Sequence, residues 1–336
     1  MKLFGKDLDK EVPIIAEIGV NHEGSIDSAL NLITLAHESG ADAVKFQSYT
    51  PDKFISSEDK DRMERVKKFH LNEEDHIKLI NHANKIGISF FSTAVTEDWV
   101  EFLAKNTSVI KIASGDITFK PVISASAKTG KLVILSTGAA NIGEIDQAIS
   151  WFRESCKISD IRNNLILMHC VSNYPTPLEH ANLNSIRFLK EHTGLRVGYS
   201  NHVKGVIAPF LAISIGADLI EVHFTNSREN KIFHDHLLSL NPKELLELTK
   251  NTPLIKMSFG EYDKFCNQAE KNILLTLRKG IVAANNIQVG QIIKIKDLMY
   301  ARPATDIDSS QINKLIGKKV LKNIKKGEKL IFNMFD

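Results

Sequence analysis

Val109-Ile110-Lys111-Ile112-Ala113-Ser114-Gly115-Asp116 is an apolar run broken by one lysine and closed by a Ser-Gly-Asp turn. Runs of this kind recur at residues 13–18, 43–46, 88–92, 109–113, 133–136, 165–170, 196–199 and 219–224. They are short and almost wholly apolar, as parallel strands covered on both faces are. Amphipathic stretches lie between them, among them residues 25–39, 73–85, 142–154 and 206–215. Two open with helix-start chemistry: Ser25-Ile26-Asp27, and Asn72 before Glu73, Glu74 and Asp75. Gly40, Gly87, Gly130, Gly194 and Gly216 stand where C-terminal helix caps belong, just ahead of the next strand. Eight such units predict an α/β fold, a closed (β/α)8 TIM barrel. An open doubly wound sheet is the alternative, weakened by the lack of a Gly-rich dinucleotide fingerprint.

The pattern changes after Gly260. Residues 261–271 are polar, and from Arg278 short β-like runs alternate with turns: Ile281-Val282-Ala283-Ala284, Ile292-Ile293, Leu298-Met299 and Leu330-Ile331. The reading is a barrel over 1–262, a linker over 263–277 and a small β-rich domain over 278–336. A tail of about 60 residues has little core of its own, so it is expected to dock on another surface.

The 336 residues carry Lys+Arg 43 against Asp+Glu 40, a formal charge of +3, which argues for neither nucleic acid nor membrane as a partner. The cysteines Cys156, Cys170 and Cys266 are too widely spaced for a zinc pair or a disulfide framework. The first ten residues are polar, unlike a signal peptide. No apolar run nears the roughly 20 residues that span a bilayer. A cytoplasmic location is expected.

Chemistry in a barrel of this kind sits at the C-terminal strand ends. The sequence puts polar groups at nearly all of them: Glu17 and Asn21-His22, Lys45, Lys111 with Ser114 and Asp116, Ser136, Ser172 and Tyr174, Ser200 with His202, and Glu221 with His223. Each alone has a bland explanation as a turn, a solvated charge or a satisfied core residue. Together, Lys45, Lys111, Glu17 and Glu221 put four charges in buried strands, and an anionic ligand with a metal is expected to offset that cost. His202 and His223, from neighbouring strands, can reach one divalent ion. Two imidazoles with open positions suit manganese better than an all-oxygen magnesium cage. Lys45 and Lys111, the hydroxyls of Ser114 and Ser136, and the amides of Ser114-Gly115 and Thr137-Gly138 are expected to cradle a phosphate and a carboxylate. Phosphoenolpyruvate carries both, as do other phosphorylated acids.

With these residues in place, the chain resembles the sialic acid synthase family, whose members make N-acetylneuraminate, its 9-phosphate, legionaminate and pseudaminate. The resemblance runs nearly the whole length. It is carried by Ala16-Glu17-Ile18-Gly19-Val20-Asn21-His22-Glu23-Gly24, Val44-Lys45-Phe46-Gln47, Lys111-Ile112-Ala113-Ser114-Gly115-Asp116, Leu135-Ser136-Thr137-Gly138, Tyr174-Pro175-Thr176-Pro177, Gly198-Tyr199-Ser200-Asn201-His202 and Glu221-Val222-His223-Phe224-Thr225. In the tail, Ala301-Arg302-Pro303 and Leu315-Ile316-Gly317-Lys318-Lys319 resemble the family's antifreeze-like (SAF) domain.

The resemblance implies that Lys45, Lys111, Ser114, Ser136, Ser172 and Ser200 hold phosphoenolpyruvate and that His202 and His223 ligate manganese. It implies that Glu17, Tyr174, Asp116 and Asp235 face an N-acyl sugar, with Glu17 or Glu221 as base and Lys111 at the chemistry. It further implies a domain-swapped homodimer in which Arg302 reaches the N-acyl group in the partner's site. Several positions depart from the common pattern: Asn201 stands where Asp is frequent, Asp116 where Glu is, Ser172-Asn173 shifts an amide by one place, and Phe233-His234 replaces a Gly-Pro. Ala304-Thr305-Asp306 stands where Gly residues are common. The implied product is a nine-carbon 2-keto acid, released with phosphate. Alternatives are a 9-phosphate synthase, a barrel making a shorter sugar acid, and a sugar-binding protein that has lost its chemistry.

Overall fold

The apolar runs form eight parallel strands: β1 Ile14–Gly19, β2 Ala43–Ser48, β3 Ser89–Ala94, β4 Val109–Ile112, β5 Leu132–Ser136, β6 Leu165–His169, β7 Arg196–Asn201 and β8 Ile220–His223. β8 pairs with β1, so the sheet closes into the expected TIM barrel. This is a computed structural model, and it describes residues 1–156, 158, 160–231 and 233–336, the side chain of His234 apart. The chain divides into two compact units, Met1–Gly260 and Glu261–Asp336.

The alternation of side chains along a strand explains how the barrel interior is layered. Ile15, Ala43, Phe91, Val109, Ile134 and Leu219 point inward and form an apolar floor. Two residues further along the same strands stand Glu17, Lys45, Thr93, Lys111, Ser136 and Glu221, which line the cavity at the C-terminal end. The intervening residues, among them Ala16, Val44, Ile110 and Val222, point outward and are buried under the helices. One period-2 pattern thus makes a hydrophobic plug, a polar mouth and a helix-packing surface.

The helices start and stop where local chemistry dictates. Glu73–Ile86 opens with an Asn72–Asp75 capping box and ends at Gly87, which is left-handed at φ +86. Its Leu79, Ile80 and Ala83 are buried against the barrel, with a full Leu or Ile side chain stabilising by roughly 1.5–3 kcal/mol. Two features were not expected. The first residues form a hairpin, Lys2–Leu3 with Lys6–Asp7, whose Leu3 and Leu8 join the barrel floor. A basic helix, Lys60–Phe69, follows β2 and walls the mouth. No helix among the described residues is long and apolar enough to cross a membrane.

The second unit pairs β9, Gly280–Ala283, with β10, Leu298–Ala301, antiparallel. Single bridges such as Val282↔Lys329 and Ile287↔Ile324 extend this into a small β-rich fold. Its core holds Ile281, Ile287, Ile293, Leu315, Val320 and Leu330. Leu274–Leu277 belongs to this unit, since the Leu275 carbonyl accepts from the Ala304 amide at 2.9 Å.

Candidate active site

A cavity of about 580 Å³ opens at the C-terminal end of the barrel. Its lining brings together Glu17, Lys45, Lys111, Ser114, Asp116, Ser136, Ser172, Tyr174, Ser200, His202, Glu221, His223 and Asp235. Arg302 lies in the second unit, next to a cis Arg302-Pro303 bond, with its Nε donating to the Leu277 carbonyl at 2.6 Å. The cavity also contains residues that carry no role in the sequence reading: Gln47, Thr93, and Arg62, Arg65 and Phe69 of the basic helix. Gln47 was legible, because it stands two residues after Lys45 on the same strand face.

The centre of the site is a ring of four buried charges. Lys111 Nζ lies 2.9 Å from Glu221 Oε2, and Lys45 Nζ lies 3.1 Å from Glu221 Oε1 and 3.4 Å from Glu17 Oε1. Strand register enforces the contact, since Glu17 pairs directly with Lys45 across β1 and β2. A register shift between Glu17 and Gly19 follows immediately, the kind of bulge that re-aims side chains beside a site. Glu221 pairs with both lysines and Glu17 with Lys45, so part of the burial cost that the sequence reading assigned to a ligand is met within the protein.

The ring polarises its members differently. Burial raises the Glu221 carboxyl, but Lys111 and then Lys45 outweigh that and hold it well below the carboxylate range. Burial pushes Glu17 up to about 7, against the pull of Lys45. Its Oε2 finds no hydrogen-bond donor among the described residues. Burial lowers Lys111, with Glu221 opposing, whereas Glu17 and Glu221 overcome burial at Lys45 and raise it. Two carboxylates on adjacent strands are thus driven in opposite directions, the usual basis for assigning an acid and a base. Asp116 stands in the single turn Ser114–Asp116 after β4, and burial alone raises it to about 6.

The floor between β4, β5 and β6 is tight. A Cβ at Gly138 would lie 2.4 Å from Ser172 Oγ and 2.9 Å from Ser114 Oγ, so only glycine lets these hydroxyls converge. Not all of the expected anion cradle is available. The Gly138 amide donates to Ser114 Oγ at 3.0 Å and the Thr137 amide to the Met168 carbonyl at 2.9 Å. Ser200 Oγ donates to Glu221 Oε1 at 3.0 Å.

His202 and His223 face each other with ring centroids 5.3 Å apart, and the Tyr174 ring lies 4.1 Å from that of His202. His202 Nδ1 donates to the Val171 carbonyl at 2.6 Å, which leaves Nε2 with its lone pair. Burial lowers His202 to about 3, with His223 adding to the effect, so its imidazole is neutral. Asp235 Oδ2 is 3.9 Å from His223 Nδ1. Among the described residues no group of three or more His, Cys, Asp or Glu side chains is arranged to hold an ion. Asn201 has a structural use: Oδ1 accepts from Tyr199 Oη at 3.2 Å and the Val203 amide at 3.1 Å, and Nδ2 donates to the Val203 carbonyl at 2.7 Å. An aspartate could not make the last bond.

The sequence model of the NeuB family matches residues 32–264, and that of the SAF domain residues 278–336. The chain is 40% identical to an uncharacterized protein of Methanocaldococcus jannaschii over 95% of this chain and 93% of that one. It is 37% identical to the N,N'-diacetyllegionaminic acid synthase of Campylobacter jejuni, covering 95% of this chain and 98% of the relative. Its structure matches that of an N-acetylneuraminic acid (sialic acid) synthetase from Leptospira borgpetersenii in complex with citrate. That match has a TM-score of 0.73 at 34% identity and covers 79% of this chain and 90% of the other.

Proposed function

The chain belongs to the NeuB family, and from that premise we propose that it joins phosphoenolpyruvate to an N-acyl sugar to make a nine-carbon, sialic-acid-type 2-keto acid. The observation that carries the reading is the gathering of two buried lysines, four serine hydroxyls and two facing imidazoles in one cavity. The Campylobacter relative supports a 6-deoxy diacetamido acceptor ahead of N-acetylmannosamine.

Lys111 and Lys45, with Ser114, Ser136, Ser172 and Ser200, hold the phosphate and carboxylate of phosphoenolpyruvate. The incoming anion competes with Glu221 for the two ammonium groups, so the ring opens as substrate binds. Tyr174, Asp116 and Asp235 line the acceptor side. C3 of phosphoenolpyruvate forms the new bond to the acceptor's aldehyde carbon, water adds at C2, and collapse of that centre expels phosphate. Glu17, pushed up to about 7 by burial, can take a proton from the water, and the Glu221 carboxylate stabilises positive charge at C2. Two facing imidazoles, of which His202 is neutral and locked through its Nδ1, suit a divalent transition metal such as manganese. His202 and His223 would hold it. Such an ion supplies Lewis-acid polarisation of the acceptor carbonyl. The partner subunit's Arg302 reads the N-acyl group in a homodimer.

Phosphate release from phosphoenolpyruvate, measured across a panel of N-acyl sugars, tests this. The panel holds N-acetylmannosamine, its 6-phosphate and 2,4-diacetamido-6-deoxy sugars. Release that depends on one acceptor is expected and identifies it. Saturable sugar binding with no release from any of them would leave a binding protein instead.

A further inference from the structure

The turn after β1, Asn21-His22-Glu23-Gly24, has no part in the chemistry above, yet it ties together the walls of the acceptor side. Asn21 Nδ2 donates to the Phe224 carbonyl at 2.8 Å and to Ser239 Oγ at 2.9 Å. Glu23 Oε2 accepts from Lys231 Nζ at 2.7 Å, and its Oε1 lies 3.5 Å from His236 Nε2. His236 is fully buried, with Nδ1 2.8 Å from Thr225 Oγ1. Ser239 Oγ in turn donates to the Asp235 carbonyl at 2.6 Å. On the other side, a Cβ at Gly24 (φ +84) would lie 2.1 Å from the Lys68 carbonyl oxygen, so the turn meets the helix Lys60–Phe69 backbone to backbone. Phe69 of that helix sits edge-on to Phe233 at 5.7 Å.

Phe69, Phe233 and Asp235 line the cavity, and Glu23 does not. Glu23 also holds a left-handed backbone at φ +53, a conformation that glycine adopts more easily. A turn needing only compactness would gain from glycine there. The glutamate instead places a carboxylate between a lysine and a buried histidine of the opposite segment. We propose that Glu23 is a positioning residue for the acceptor: by holding Lys231 and His236 it fixes segment 225–239 so that Asp235 faces the cavity. This rests on the acceptor-facing role given to Asp235 above.

The Glu23–Lys231 pair is partly exposed, with side-chain accessibilities of 39% and 26%, so it adds little to global stability. That separates positioning from folding. Glu23→Lys and Lys231→Glu, made singly and together, are compared with the native enzyme. Each single change is expected to raise the acceptor KM about tenfold while the phosphoenolpyruvate KM stays within about twofold. The double charge swap is expected to recover most of the acceptor KM, and Tm should hardly move. Hydrogen exchange over segment 225–239 should quicken in the single variants and slow again in the swap. An unchanged acceptor KM, an equal rise in both KM values, or no recovery in the swap would overturn the proposal. If the native protein turns over no sugar of the panel, the functional reading fails on its own. Exchange then decides the positioning role of Glu23, and identical exchange in native and single-variant proteins would refute it.

Discussion

Asp116→Asn is a sharp test of the idea that the acceptor side is prepared at the expense of stability. The Asp116 side chain has no hydrogen-bond or ionic partner among the described residues, and burial raises its pKa from 3.8 to about 6. The folded state therefore holds the proton more tightly than the unfolded chain. The resulting contribution to stability is fully present below pH 3.8 and is lost as pH rises through about 6. Over the whole window the loss is at most about 3 kcal/mol, and roughly 2 kcal/mol of it falls between pH 4.5 and 8. Asparagine keeps the shape and cannot ionise. Urea unfolding followed by fluorescence reports the barrel specifically, since the only tryptophans, Trp99 and Trp151, lie in its helices. The variant should gain on the native protein as pH rises, by about 2 kcal/mol between pH 4.5 and 8. Its acceptor KM should rise at the same time. Stability curves that run parallel across this range would show that Asp116 is not a strained carboxyl, and the argument would fail.

The charge ring predicts coupling. Lys45→Met should destabilise by a few kcal/mol because it strips Glu17 and Glu221 of a partner, and adding Glu17→Gln should recover much of the loss; simple additivity would refute the ring. Chelation by EDTA should abolish acceptor-dependent phosphate release and manganese should restore it, whereas full activity in metal-stripped protein would end the metal proposal. His202→Ala should cost activity far more than Tm, and the reverse order would mark a core histidine. Mixed under subunit exchange, inactive Arg302→Ala and Lys111→Ala variants should regain activity, since one site of the heterodimer carries neither defect. No regained activity would place Arg302 outside the partner's site.

Where a residue's direction follows from strand periodicity alone, the sequence was enough. Ile15 and Glu17, Val109 and Lys111, and Leu219 and Glu221 each share a strand face, so the floor and the polar mouth follow from counting by two. The capped helix at Glu73–Ile86 was legible for a similar reason, because Asn72 and Asp75 satisfy each other locally. What escaped needed information from elsewhere in the chain. The helix Lys60–Phe69 shows a charged sequence with only Met63 and Val66 buried, so its periodicity is faint until the Gly24 turn supplies a surface for it. Leu3 and Leu8 sit in a polar opening segment and become core only because the barrel end lies beneath them.

The same limit applies to the four central charges. Read along the chain, Lys45 and Lys111 are isolated cations in apolar strands, and an external anion is the natural partner. Across the barrel, β8 brings Glu221 within reach of both, and part of the burial cost is met inside the protein. On the proposed function, this pairing sets what phosphoenolpyruvate binding has to accomplish. A cavity with two free ammonium groups would bind any small dianion tightly. One whose ammonium groups are already paired binds only a ligand that offers more than Glu221 does, at both lysines together. A phosphate and a carboxylate on one small frame meet that condition where inorganic phosphate meets half of it. If the proposed function holds, this pairing in the resting site would select against single anions.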